Sequence, residues 1–118
     1  MMSNLTSGEL RYISESTNSW MHIVSMLKDA VKDIPQETLD RISELKSGFE
    51  KEFLEFYSEK KQSGTEMDGD QLLYAFEDEW EEKHPEFYDM KALFSGCPKE
   101  ALEKAEPTFN MIEEEFFS

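Results

Sequence analysis

The stretch from residue 36 to residue 63 constrains the fold most. Leu39, Ile42, Leu45, Phe49, Phe53, Phe56 and Tyr57 recur there in steps of one, three and four. That period lays one apolar stripe along a helix of more than six turns and is incompatible with a strand, whose period is two. Pro35 stands where a helix begins, since a missing N–H costs little in the first turn. Lys60 and Lys61 complement the C-terminal end of the dipole, and Gly64 fits just beyond it. Gly48 is the one residue out of place, because glycine costs about 1 kcal/mol relative to alanine inside a helix. It is expected either to admit a close neighbour or to mark a bend.

A second stripe precedes the first. Leu10, Ile13, Trp20, Ile23, Val24, Leu27, Val31 and Ile34 follow the spacing T-x-x-E of Thr6 and Glu9, which is that of a capping box. Ser14, Ser16, Thr17, Asn18 and Ser19 dilute helix propensity, so this helix is expected to be irregular or to start near Thr17. Trp20 is in register with the stripe and reads as core. Two long helices joined by the turn at Asp33–Pro35 give an αα-hairpin over residues 1–64.

Residues 65–118 have a different character. Ser63–Gly69 reads as a linker. Asp68 or Asp70 caps a third helix, with Leu72, Leu73, Phe76 and Trp80 on its apolar side and a Glu79–Lys83 pair available at i,i+4. His84-Pro85 ends it. Short helices follow, punctuated by Pro85, Gly96, Pro98 and Pro107. They carry Phe87, Met90, Leu93 and Phe94, then Ala101, Leu102 and Ala105, then Phe109, Ile112 and Phe116. The expected fold is all-α: a small helical bundle built on a long N-terminal αα-hairpin, with a third helix and two or three short C-terminal helices. At 118 residues it forms a single domain, 1–118, and nine Phe, four Tyr and two Trp set it apart from a disordered chain.

Charge divides the chain more sharply than structure does. Residues 65–118 hold 16 acids against 4 bases, a net of −12 out of −15 for the whole. A field of that sign repels nucleic acid and anionic membrane and draws in basic surfaces. The single cysteine, Cys97, excludes an internal disulfide and fits a reducing compartment. With neither a signal-peptide pattern at the N-terminus nor an apolar run of membrane-spanning length, the expected location is the cytoplasm.

The sequence carries no recognisable catalytic set, metal site or cofactor motif. Asp68-x-Asp70 with Glu79 imitates the ends of a calcium loop, but Leu72 and Leu73 occupy positions that need a ligand oxygen and a glycine. Glu81-x-x-His84 is half of a di-iron pattern whose second half is missing, because His22 has Ser19 three residues before it. Cys97 lies beside Pro98 at a helix start, which could lower a thiol pKa, yet it reads better as a small buried residue. Glu52-Phe53-Leu54-Glu55 and Glu86-Phe87-Tyr88-Asp89 resemble the paired acidic motifs of all-α nucleotide pyrophosphohydrolases of the MazG type. That resemblance implies Mg²⁺ held on a triphosphate by Glu52, Glu55, Glu86 and Asp89, although the leading double glutamate and a basic phosphate cluster are absent.

A recognition surface remains, centred on residues 68–89. Tyr74, Glu77, Asp78, Glu81, Glu82, Glu86, Tyr88 and Asp89 are the expected partner-binding residues, since aromatics give contact area and carboxylates give steering toward Lys and Arg. The first expectation is a non-enzymatic inhibitor, of immunity-protein, antitoxin or DNA-mimic type. It would block the basic surface of a nuclease or other nucleic-acid-handling protein, without touching nucleic acid itself. The alternatives are an assembly factor, adaptor or chaperone with an apolar groove for a client helix, and the pyrophosphohydrolase.

Overall fold

A computed structural model describes residues 5–117. The described residues form helices and turns, with no strand. In chain order the helices are α1 (Ser7–Glu15), α2 (Asn18–Ala30), α3 (Gln36–Gln62), α4 (Gly69–Lys83), a 3-10 turn (Pro85–Tyr88), α5 (Met90–Leu93), α6 (Lys99–Lys104) and α7 (Glu106–Phe116). The 27-residue α3 is the spine, and at about 1.5 Å per residue it accounts for most of the 51 Å long axis.

The ends of the helices are set by local chemistry that the sequence states openly. Thr6 accepts from Glu9 N while the Glu9 side chain accepts from Thr6 N, closing the capping box of α1. Asp68 and Gln71 do the same for α4, at 2.9 and 3.0 Å. Gly64 follows the C-cap of α3 with φ of +75°, the left-handed conformation that lets the chain turn away.

The first stripe is broken where the polar run falls. Ser14 Oγ donates to Arg11 O and Ser16 Oγ to Ile13 O, and the Ser16 N–H closes on the same Ile13 carbonyl in a tight i,i+3 last turn, where α1 ends. Thr17 is fully buried, and its hydroxyl donates to Glu50 Oε1 on α3 at 2.7 Å. The break is therefore pinned to the spine, and the N-terminal arm of the hairpin is two helices instead of one. Leu10, expected in the stripe, is 41% exposed, and Ile13 alone of α1 is buried. Phe116, at the end of the terminal stripe, is likewise 46% exposed.

The core is aromatic. The Phe49 ring on α3 lies 5.0 Å from Phe76 and 5.3 Å from Trp80 of α4, and 5.2 Å from Phe87 of the 3-10 turn. Trp20 of α2 stacks on the other side of Phe87 at 4.2 Å and donates its indole N–H to the Phe87 carbonyl at 2.6 Å. The sequence's choice between bend and close approach at Gly48 resolves as close approach. A Cβ placed there would stand 3.3 Å from Trp80 Cη2. Trp80 is 1% exposed and hemmed in by Phe49, Phe76, His84 and Phe87, so it has little room to give. Gly48→Ala is therefore expected to lower the melting temperature despite a propensity gain of about 1 kcal/mol, while Ser47→Ala on the exposed neighbour raises it slightly. Thermal unfolding of the two variants side by side checks this, and a stabilised Gly48→Ala contradicts the contact.

A candidate protein-docking face on α4

The period of α4 sorts its side chains. Leu72, Phe76 and Trp80 are buried against α3, one turn apart. Tyr74, Asp78, Glu81 and Glu82 project from the opposite side and are exposed, Tyr74 at 66%. None of the three acids is in an ion pair among the described residues.

The cations nearest this face are turned elsewhere. Lys83 does not pair with Glu79, as i,i+4 spacing suggests, but reaches across to Glu52 on α3 and lies 5.9 Å over the Trp80 ring. Arg41 of α3 holds Glu86 and also stands 3.7 Å from Glu44. Both crossings staple α4 and the 3-10 turn to the spine, and both leave the outer face of α4 uncompensated. The N-terminal end of α4 is held by a third crossing, in which Tyr12 Oη donates to Asp70 Oδ1 at 2.5 Å.

The eight expected docking residues therefore do not form one uniform set. Tyr74, Asp78, Glu81 and Glu82 share the open face. Glu86 is half-buried, beside Arg41 and 3.6 Å from His84 Nδ1. Burial alone would raise its pKa, but its own backbone N–H and Arg41 outweigh that and hold it below the usual range. Asp89 is exposed, and its side chain accepts from Ala92 N at the start of α5. Glu77 and Tyr88 form a half-buried pair, with Tyr88 Oη donating to Glu77 Oε2 at 2.7 Å. Burial pushes the Glu77 pKa up and Asp78 and Glu81 add to this, while the Tyr88 hydrogen bond holds it back. Burial, followed by the Glu77 contact, raises the Tyr88 phenol as well.

The other chemical readings find no geometry. Asp68 is a cap and Asp70 a hydrogen-bond acceptor for Tyr12, so the calcium-like spacing is accounted for locally. His84 packs its ring on Trp80, 4.3 Å between centroids. Glu52 and Glu86, half of the pyrophosphohydrolase-like set, are engaged by Lys83 and Arg41. Among the described residues no three His, Cys, Asp or Glu side chains come together as a metal-holding group. Burial raises the Cys97 thiol, away from a reactive thiolate, with a Thr38 hydrogen bond acting weakly against it. No helix among the described residues is long and apolar enough to cross a membrane. Comparisons with protein families, curated proteins and solved structures find no match to this chain. The face is thus read from its own geometry.

The Glu77–Tyr88 pair sets a pH signature. Because the folded-state pKa of Glu77 lies above the ordinary value of 4.5, its contribution to stability is complete below that value and is lost as pH rises through the folded one. Glu9, hydrogen-bonded by Lys61 and Thr6 and lowered to about 2, acts in the opposite sense, contributing above 4.5 and failing as pH falls toward 2. Tyr88→Phe removes the bond that restrains Glu77. The Glu77 carboxyl, followed by ¹³C NMR titration, is expected to titrate higher in that variant. A midpoint that stays put or falls contradicts the pairing.

Proposed function

We propose that this chain is a non-enzymatic acidic binding protein, most simply an inhibitor that occupies the basic surface of a nucleic-acid-handling protein. The observation that carries the reading is the outer face of α4. There Asp78, Glu81 and Glu82 follow the exposed Tyr74 over the next two turns with no cation paired to them among the described residues, while Lys83 and Arg41 are spent on Glu52 and Glu86. Carboxylates carried on a rigid helix can stand where phosphates would stand with no backbone to order, leaving only their side-chain rotamers to fix, and an exposed tyrosine adds contact area with few rotatable bonds. The net of −12 over residues 65–118 gives long-range attraction to a basic partner.

The test begins with capture of the partner from the native host and measurement of its binding at several salt concentrations. The triple variant Asp78→Lys/Glu81→Lys/Glu82→Lys leaves the apolar side of α4 untouched and is expected to keep the circular-dichroism spectrum. Its affinity for the partner is expected to fall about 100-fold, chiefly through the association rate, and the salt dependence of binding to flatten. Unchanged affinity, or a captured partner whose contact surface is acidic, overturns the reading.

A further inference from the structure

α1 is held differently from the rest of the bundle. It buries only Ile13, with Leu5 just ahead of its cap, whereas α2 buries Trp20, Ile23, Val24 and Leu27. Its other ties to α3 and α4 centre on two polar side chains, Glu9 and Tyr12, and both sets of bonds are at the surface. Lys61, near the end of α3, pairs with Glu9, and Tyr57 donates a hydrogen bond to the same side chain. Tyr12 donates to Asp70 in the first turn of α4 and sets its ring edge-on to Phe53, 6.4 Å between centroids. An open cavity of about 460 Å³ lies where the first turns of α1 and α4 meet, lined by both caps, Thr6 and Asp68, together with Tyr12 and Tyr57.

Two facts say that this helix can move by itself. First, α1 ends before Ser16, and the buried Thr17, bonded to Glu50, fixes the far side of the seam to α3. Rotation at Ser16 therefore moves α1 and leaves α2 in place. Second, the aromatic cluster that joins α2, α3 and α4 barely includes α1. Among the described residues it meets a ring of α1 only through Phe53, which itself packs on Phe49 and Phe76.

We propose that α1 is a hinged strap, which opens as one piece about Ser16–Thr17 while the aromatic cluster stays closed. Opening breaks the Glu9–Lys61 and Tyr12–Asp70 bonds together and uncovers Phe53 and Tyr57, both buried in the closed form. It also frees Asp70, which stands four residues before Tyr74 and eight before Asp78. The row of unpaired acids on α4 then lengthens by one turn. Surface ion pairs and a single buried side chain hold a helix weakly, so the strap opens at far less cost than the bundle unfolds. The inference needs no partner, and loss of the docking-face reading leaves it standing.

The test is native-state amide hydrogen exchange of the ¹⁵N-labelled full chain, with three variants. After correction for intrinsic rates, the amides of Leu10, Arg11, Tyr12 and Ile13 are expected to share one opening equilibrium with little denaturant dependence. They should exchange at least about 100-fold faster than those of Phe49 and Phe53. Tyr12→Phe keeps the ring on Phe53 and removes only the hydroxyl, and is expected to speed the four amides about tenfold. Lys61→Gln is expected to speed them about threefold. Ile42→Val trims the buried side of α3 away from the strap. It is expected to speed the Phe49 amide about fivefold and to leave the four strap amides unchanged, because the cluster stays closed when the strap opens. If the strap amides match Phe49 in rate and denaturant dependence, or if Ile42→Val speeds both sets equally, α1 opens only with the whole bundle and the proposal falls. It also falls if the four amides are fast but indifferent to Tyr12→Phe and Lys61→Gln, since the bonds then hold nothing closed.

Discussion

The ring of Phe49 is the contact on which the rest depends. It is 2% exposed and meets Phe53 along its own helix, Phe76 and Trp80 on α4, and Phe87 on the 3-10 turn. Through Phe87 it reaches Trp20 on α2. A single cluster of rings thus fixes three helices and a turn that are far apart in the chain. Edge-to-face and stacked pairs of this kind add about 0.5–1.5 kcal/mol each beyond the area they bury. They are specific in orientation, which a cluster of leucines would not be. Burial also leaves the Trp80 indole N–H without a hydrogen-bond acceptor among the described residues, a cost of about 1–3 kcal/mol that the packing has to outweigh.

That cluster decides where the charge goes. With Leu72, Phe76 and Trp80 held inward, helical geometry leaves Asp78, Glu81 and Glu82 no choice but the outer side. The cations within reach lie on the flanks, where they tie α4 to α3. Glu77 lies on the border between the two environments, half-buried and bonded to Tyr88, and its raised pKa records that position. An anionic surface on a rigid aromatic backing is what the proposed function requires, because flexible carboxylates would lose part of their attraction to ordering.

Much of this was legible in the chain itself. The stripe on α3, the caps at Thr6, Asp68 and Gly64, and the inward set on α4 all depend on residues within a few positions of one another, and each appears where local spacing puts it. Gly48 could be flagged as an anomaly, but Trp80 as its cause lies 32 residues away and only tertiary register brings the two together. The same is true of Lys83, whose choice of Glu52 over Glu79 follows from how α4 is set against α3. The break at Ser16–Thr17 was visible as weak propensity. The buried hydroxyl of Thr17, bonded to Glu50, was not, since threonine in a polar run gives no sign of burial. The Glu77–Tyr88 pair was hidden for a similar reason, since the two residues lie on different elements and only their packing brings them together.

The aromatic cluster holds α4 as rigidly as the spine, so that the acidic face is preformed in the free protein. Native-state amide hydrogen exchange tests it most directly. With α4 held this way, the amides from Leu72 to Trp80 exchange only through global unfolding, with the same free energy and denaturant dependence as those of Phe49 and Phe53. Exchange of α4 through a separate local opening, while α3 stays protected, would contradict it.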